Sequence, residues 1–268
     1  MDHAFNCNLS IIKKRQMKYI KQIGNLAICA MLLLSPEFFQ AQETSVMIRV
    51  KAKDAKFIGT SMGGAKVIVR DERTGSILAE GFTEGSTGNT DVIMKNPKTR
   101  ASKLSDENTA VFLAKLNIDK PVFVNVEAFA PGENRVKSTT QLWVIPGRDI
   151  IGDGLVIEIP GFIIDILSPQ THQSIGANKE IEIKANIVMM CGCPITKGGI
   201  WDADQYEVKA VISKDGKQEK TLDLKVLEQA STFSGKVILV PGNYEILVYA
   251  FDPVSGNTGL DKTNIIVK

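Results

Sequence analysis

The sequence predicts an all-β protein: two antiparallel β-sandwich domains in tandem behind a cleaved signal peptide. Three observations point there. Apolar residues recur with a period close to two from Glu43 onward, turn dipeptides punctuate these runs, and residues 1–41 read basic, then apolar, then small.

The leader comes first. Lys18 and Lys21 precede an apolar stretch from Ile23 to Leu34, and Ser35, Gln40 and Ala41 follow it. That order is the layout of a secretory signal peptide. The unbroken core Leu26–Leu34 is about half of the ~20 residues that span a bilayer, so no permanent membrane span is expected. Cleavage is placed after Ala41, and Met17 begins a more conventional leader than Met1. Cys29 does not follow the apolar core, and Ile28 stands before it where a small residue is expected, which argues against a lipid-modified cysteine. The expected location is therefore outside the cytoplasm: periplasmic, on the cell surface or released.

The strands follow in order. Val46, Ile48 and Val50 alternate with Met47, Arg49 and Lys51; Val67 and Val69 alternate with Lys66, Ile68 and Arg70. Val122, Val124 and Val126, then Ile181, Ile183 and Ala185, then Tyr244, Ile246, Val248 and Ala250 continue the pattern. One apolar and one wetter face is the mark of half-buried antiparallel strands. Turn signals separate them at Thr74-Gly75, Gly88-Asn89, Pro131-Gly132, Pro146-Gly147, Asp153-Gly154, Asp215-Gly216, Pro241-Gly242 and Gly256-Asn257. Short helical candidates lie near Ser102–Asn108 and Leu227–Ala230. A boundary at Ile159-Pro160-Gly161 divides the exported part into residues 42–160 and 161–268, each long enough for a sandwich with its own core. Gly-Asn-Thr occurs in both 86–91 and 255–261, an echo that a shared turn preference explains as well as a repeat does.

Each half carries a resemblance. In the first, Gly64-Ala65-Lys66-Val67-Ile68-Val69-Arg70-Asp71, then Thr74-Gly75, Thr83 and Gly88 resemble the carboxypeptidase regulatory-like, or transthyretin-like, sandwich over residues 47–92. The segment 85–90 is longer than that pattern has. In the second, Ile166-Leu167-Ser168-Pro169, the strand at 180–188, the run Gly235–Tyr244 and Val248–Asp252 with Gly256-Asn257 resemble a bacterial immunoglobulin-like domain. That resemblance implies that the Tyr244 hydroxyl caps a nearby backbone turn. Such domains serve as spacers, adhesion modules and binding platforms, so both resemblances bear on architecture more than on activity.

Charge and composition narrow the function classes. The chain has 32 basic and 30 acidic residues; removing the five and two that fall in residues 1–41 leaves 27 against 28. No basic face for nucleic acid is expected from that balance. Beyond the leader there remain one histidine, His172, and two cysteines, Cys191 and Cys193. A two-histidine metal site, a four-cysteine zinc site and a disulfide scaffold are thereby excluded. There is no Gly-x-Ser-x-Gly elbow, P-loop or dinucleotide fingerprint, so the sequence reads as non-enzymatic.

Chemistry concentrates in Met189-Met190-Cys191-Gly192-Cys193-Pro194. If this segment is extended, Met189, Cys191 and Cys193 share one face and offer three soft sulfur donors, a set suited to Cu(I), with His172 a further ligand if its loop folds across. If it turns, as Gly192 and Pro194 permit, Cys191 and Cys193 can form a disulfide serving as a clasp or in thiol–disulfide exchange. The plainest alternative is two buried thiols packing as small hydrophobes. Asp202 and Asp204, and separately the run Arg148–Gly154, offer carboxylates for calcium, although a turn suits both segments better. Trp143 and Trp201 are each either core residues or exposed aromatics for a sugar or a protein. The function expected is a non-enzymatic binding or structural module of the bacterial cell envelope, engaging protein or glycan. The alternative is an extracytoplasmic Cu(I)-binding or thiol-redox protein that uses Cys191 and Cys193.

Overall fold

The computed structural model describes residues 41–131 and 136–268. The expected leader, with Met17 and Cys29, lies outside the described residues except for Ala41.

Among the described residues, the first half holds seven strands: β1 (Gln42–Ala52), β2 (Lys66–Asp71), β3 (Ile77–Phe82), β4 (Phe112–Ile118), β5 (Val122–Ala130), β6 (Val136–Val144) and β7 (Ile150–Ile159). The second half adds β8 (Phe162–Ser168), β9 (Ser174–Ile175), β10 (Glu180–Met189), β11 (Glu207–Lys214), β12 (Lys217–Asp223), β13 (Lys225–Val226), β14 (Thr232–Ile238), β15 (Gly242–Phe251) and β16 (Thr258–Val267). They form four sheets, ordered β4-β1-β7, β3-β2-β5-β6, β13-β14-β10-β8 and β12-β11-β15-β16-β9. Every one of these ladders joins strands from the same side of Pro160-Gly161. Most are antiparallel, but β1 pairs with β7, and β16 with β9, in parallel.

The alternation read from sequence is the burial pattern. Val46, Ile48 and Val50 of β1 are buried, as are Val124, Val126 and Ala128 of β5 and Tyr244, Ile246 and Val248 of β15. Side chains that point the other way along β5, namely Phe123, Asn125, Glu127 and Phe129, are only partly covered. Tyr244 closes the corner before its strand, its hydroxyl donating to the Val240 carbonyl at 3.1 Å.

Helical turns fall elsewhere than expected, at Thr60–Met62, Asp91–Lys95 and Ala203–Gln205. The segment 102–108 is not helical because its backbone amides have other partners. Asp153 accepts from Leu104 N at 2.8 Å, Ser105 N at 3.0 Å and Ser105 Oγ at 2.5 Å, and Asp106 accepts from Asn108 N. Residues 227–230 instead make the turn between β13 and β14, closed by Leu227 N on the Thr232 carbonyl at 2.8 Å.

The two halves meet at a dense junction, and one continuous hydrophobic core runs through both. Lys53 N donates to the Ile159 carbonyl at 2.8 Å. Asn257, fully buried, accepts from Gly161 N at 2.9 Å and donates through Nδ2 to the Lys53 carbonyl at 3.0 Å. A single side chain thus holds the linker and the end of β1 together. The two Gly-Asn turns therefore do different work, since the Asn89 side chain accepts only from its neighbours Asp91 N and Val92 N.

Candidate functional site

The sulfur-rich segment lies at this junction. The chain does not stay extended past β10. Gly192 N returns to the Met189 carbonyl at 2.7 Å, Met189 N donates to the Cys193 carbonyl at 3.1 Å, and Val188 bridges to Pro194. The extended arrangement that would align Met189, Cys191 and Cys193 on one strand face is therefore replaced by a tight turn. Gly192 makes it possible, with φ +76° in the left-handed region and no room for a Cβ, which would sit 2.3 Å from Met62 Sδ. The turn places the cysteine Cα atoms 5.4 Å apart, and a disulfide joins them.

That cluster is closed to solvent. Cys191 and Cys193 are 1% and 4% exposed, and Met189 and Met190 are buried beside them. Tyr206, whose ring meets Phe162 edge-on at 5.1 Å, directs its hydroxyl toward Met189 Sδ at 3.9 Å. Burial first, and then the charge of Asp252, raises both the Tyr206 hydroxyl and the Asp54 carboxyl above their ordinary values. An external thiolate must reach a sulfur to exchange with it. With both cysteines buried, the arrangement is chemically suited to a local structural clasp that fixes the turn after β10.

His172 is not brought to these sulfurs. Its backbone N–H donates to the Asn264 carbonyl at 2.6 Å, and it lines a polar cavity of about 460 Å³ with Asp215, Asn243, Tyr244 and Glu245. The sulfur end of the second half is marked by Phe162 against Gly259, so His172 stands about five residues further along β16, roughly 17 Å away. Among the described residues no group of three His, Cys, Asp or Glu is arranged to hold a metal ion.

The tryptophans part company. Trp201 is 6% exposed, and its Nε1 donates to the Asp54 carbonyl at 2.8 Å, so its ring belongs to the junction. Trp143 is 63% exposed on β6 and leans on Phe123 of β5, with centroids 5.1 Å apart and planes at 41°. It belongs to the outer face of the sheet β3-β2-β5-β6. There the register sets Phe82, Lys66, Phe129 and Lys137 in one row, Arg70, Asn125 and Gln141 in another, and Phe123 with Trp143 at the end. Glu127, in between, accepts from Lys137 Nζ at 2.6 Å and Arg70 Nε at 3.4 Å; these partners, Lys137 foremost, hold its carboxyl below the usual range. The face therefore presents aromatic rings at both ends and a largely neutralised polar middle.

Of the carboxylates considered for calcium, Asp149, Asp153 and Asp202 accept from backbone donors, and Asp204 lies 3.7 Å from Lys197 Nζ. Asp202 accepts from Gly198 N at 2.9 Å and Asp204 N at 3.2 Å, which lowers its pKa, the Gly198 bond most. Asp149 accepts from Ser45 N, and Asp153 from residues 104 and 105 as described. Sequence reasoning missed Met62, Asp54, Phe123 and Asn257 as parts of these sites. Only Asn257 carried a signal, the Gly-Asn turn, and that signal spoke of the turn alone.

No protein-family model matches the chain, and no curated protein matches it. Among solved structures, an engineered protein is similar at 14% identity over 44% of this chain, with a TM-score of 0.31; the chain spans only 22% of that protein. The fibronectin(III)-like modules of Clostridium thermocellum CbhA are similar at 20% identity, covering 40% of this chain and 97% of theirs, with a TM-score of 0.26. Titin domains z1z2 in complex with telethonin are similar at 10% identity, covering 85% and 89%, with a TM-score of 0.24. Likenesses of this depth carry no argument about ligand or activity. Among the described residues, no helix is long and apolar enough to cross a membrane.

Proposed function

We propose that the protein is an exported, non-enzymatic binding or structural module of the bacterial cell envelope, engaging protein or glycan, with a carboxypeptidase regulatory-like sandwich preceding an immunoglobulin-like one. The observation that carries this reading is the outer face of the β3-β2-β5-β6 sheet, where a 63% exposed Trp143 stands on Phe123 beside the row Arg70, Asn125 and Gln141. A large exposed ring next to polar side chains, an arginine among them, is the composition of a binding surface, where tryptophan and arginine carry much of the affinity.

The test is co-sedimentation with isolated cell-envelope material. Trp143→Ala is expected to weaken binding about tenfold or more, the effect of losing an interfacial aromatic. Replacing Cys191 and Cys193 together with serine is expected to leave binding within about twofold, as measured on the folded fraction. The Cu(I) or thiol-redox alternative has in its favour the gathering of Met62, Met189, Met190, Cys191 and Cys193 at one junction. It predicts the reverse result: binding indifferent to Trp143, and copper uptake by reduced protein that disappears in the double cysteine variant.

A further inference from the structure

The free edges of the sheets are not alike. A regular edge strand offers alternate N–H and C=O groups to any strand laid beside it, and proteins usually blunt such edges with bulges, charges or brevity. Here β9 and β13 have two residues each. Among the longer edges, β12 carries Lys217, Glu219, Lys220 and Asp223, and the ladders of β3, β7, β8 and β12 all contain a register shift. Strands β4 and β6 remain. β6 pairs residue for residue with β5 from Val136 to Val144, nine pairs without a break, and its only charge is Lys137. Its edge is open to water: the inward-facing Ser138, Thr140 and Leu142 are half-buried, whereas Ala128, Val126 and Val124, opposite them on β5, are fully buried.

The geometry points to a second copy of this chain as the occupant of that edge, with the two β6 strands antiparallel about a two-fold axis at Thr140. The sequence of β6 is complementary to itself in that register. On the outer face Lys137 comes opposite Trp143 of the second copy, a cation against an aromatic ring, and Thr139 comes opposite Gln141. On the inner face Val136 meets Val144, Ser138 meets Leu142 and Thr140 meets its own equivalent. No like charges face each other, and cross-strand pairs of these kinds stabilise a ladder. The same operation on β4 brings Lys115 opposite Lys115, which disfavours that edge. The result is an isologous dimer with one continuous eight-stranded sheet, four strands from each copy, and two Trp143-bearing faces side by side. This inference does not depend on what the outer face binds.

Sedimentation equilibrium of the full chain tests it. The expected result is a dimer mass, with Ser138→Lys, an inward-pointing charge at the edge, weakening dimerisation at least tenfold while the circular dichroism spectrum stays unchanged. In a background with Cys7 and Cys29 replaced by serine, Thr140→Cys is expected to give a covalent dimer on mild oxidation, because position 140 faces itself at disulfide range. Ser138→Cys, which faces Leu142, is expected not to. A monomer at the highest soluble concentration would overturn the inference. A dimer that survives Ser138→Lys, or crosslinks equally through positions 138 and 140, would do the same.

Discussion

Asn257 shows how much one side chain can carry. It is fully buried and answers two backbone groups, Gly161 N and the Lys53 carbonyl, the second lying 204 residues away in sequence. Replacing it with alanine leaves both without a partner in a site closed to water. Each orphaned buried group costs about 1–3 kcal/mol, so Asn257→Ala is expected to lose ~2–4 kcal/mol in urea denaturation. A loss below about 0.5 kcal/mol would mean that water or a shift of the linker satisfies them. The sequence showed a Gly-Asn turn at this position and no more, because the two partners become neighbours only after both halves have folded. Tyr244 was more legible. Its corner bond to Val240 spans four residues, and local chemistry of that kind can be read along the chain.

At the scale of elements, period-two alternation placed β1, β2, β5, β10 and β15, because each buries one face and a one-residue slip would expose it. Irregularities were less visible. The run Arg148–Gly154 suggested either a turn or a cation loop, and residues 150–154 of it prove to form a bulge at the start of β7. Val46 pairs with Ile150 and Ile48 with Leu155, so the intervening residues of β7 stand opposite Met47 alone. Gly152 and Gly154 both have positive φ, +78° and +67°. They differ in surroundings: a Cβ on Gly152 meets nothing within 4 Å, whereas one on Gly154 would lie 2.2 Å from the Met47 carbonyl oxygen. Gly152→Ala is therefore expected to cost only the left-handed backbone penalty of about 1–2 kcal/mol. Gly154→Ala adds a clash with main chain and should cost at least ~1 kcal/mol more. Equal losses in parallel denaturant titrations would show that the ladder between β1 and β7 yields at no cost. The aspartates of this run were recognisable as acceptors. That their donors are Ser45, Leu104 and Ser105 depends on strand pairing, which no local pattern encodes.

For the whole molecule, the two halves have separate sheets but share a core, and their junction is made from features scattered along the sequence. Trp201 reaches the Asp54 carbonyl, Gly192 admits Met62, and the Cys191–Cys193 turn is buried between them. The composition of the sulfur segment was legible; its role at a boundary was not, since Met62 lies 130 residues before Gly192 in the sequence. A linker of two residues between β7 and β8 together with a common core makes independent melting costly, because separation exposes apolar surface on both sides. The oxidised protein is therefore expected to unfold in one calorimetric transition, with calorimetric and van't Hoff enthalpies in agreement. Trp201 reports on the junction directly. In Trp143→Phe its emission, blue-shifted by burial, should move to the red at the same midpoint. Trp201→Phe keeps an aromatic ring but loses part of the indole and the bond to the Asp54 carbonyl, which lowers the calorimetric midpoint by the loss of at least about 1 kcal/mol and loosens the coupling between halves. Two resolved transitions in the unaltered protein would mean that the halves fold independently, and the buried disulfide turn would then stabilise the second half alone.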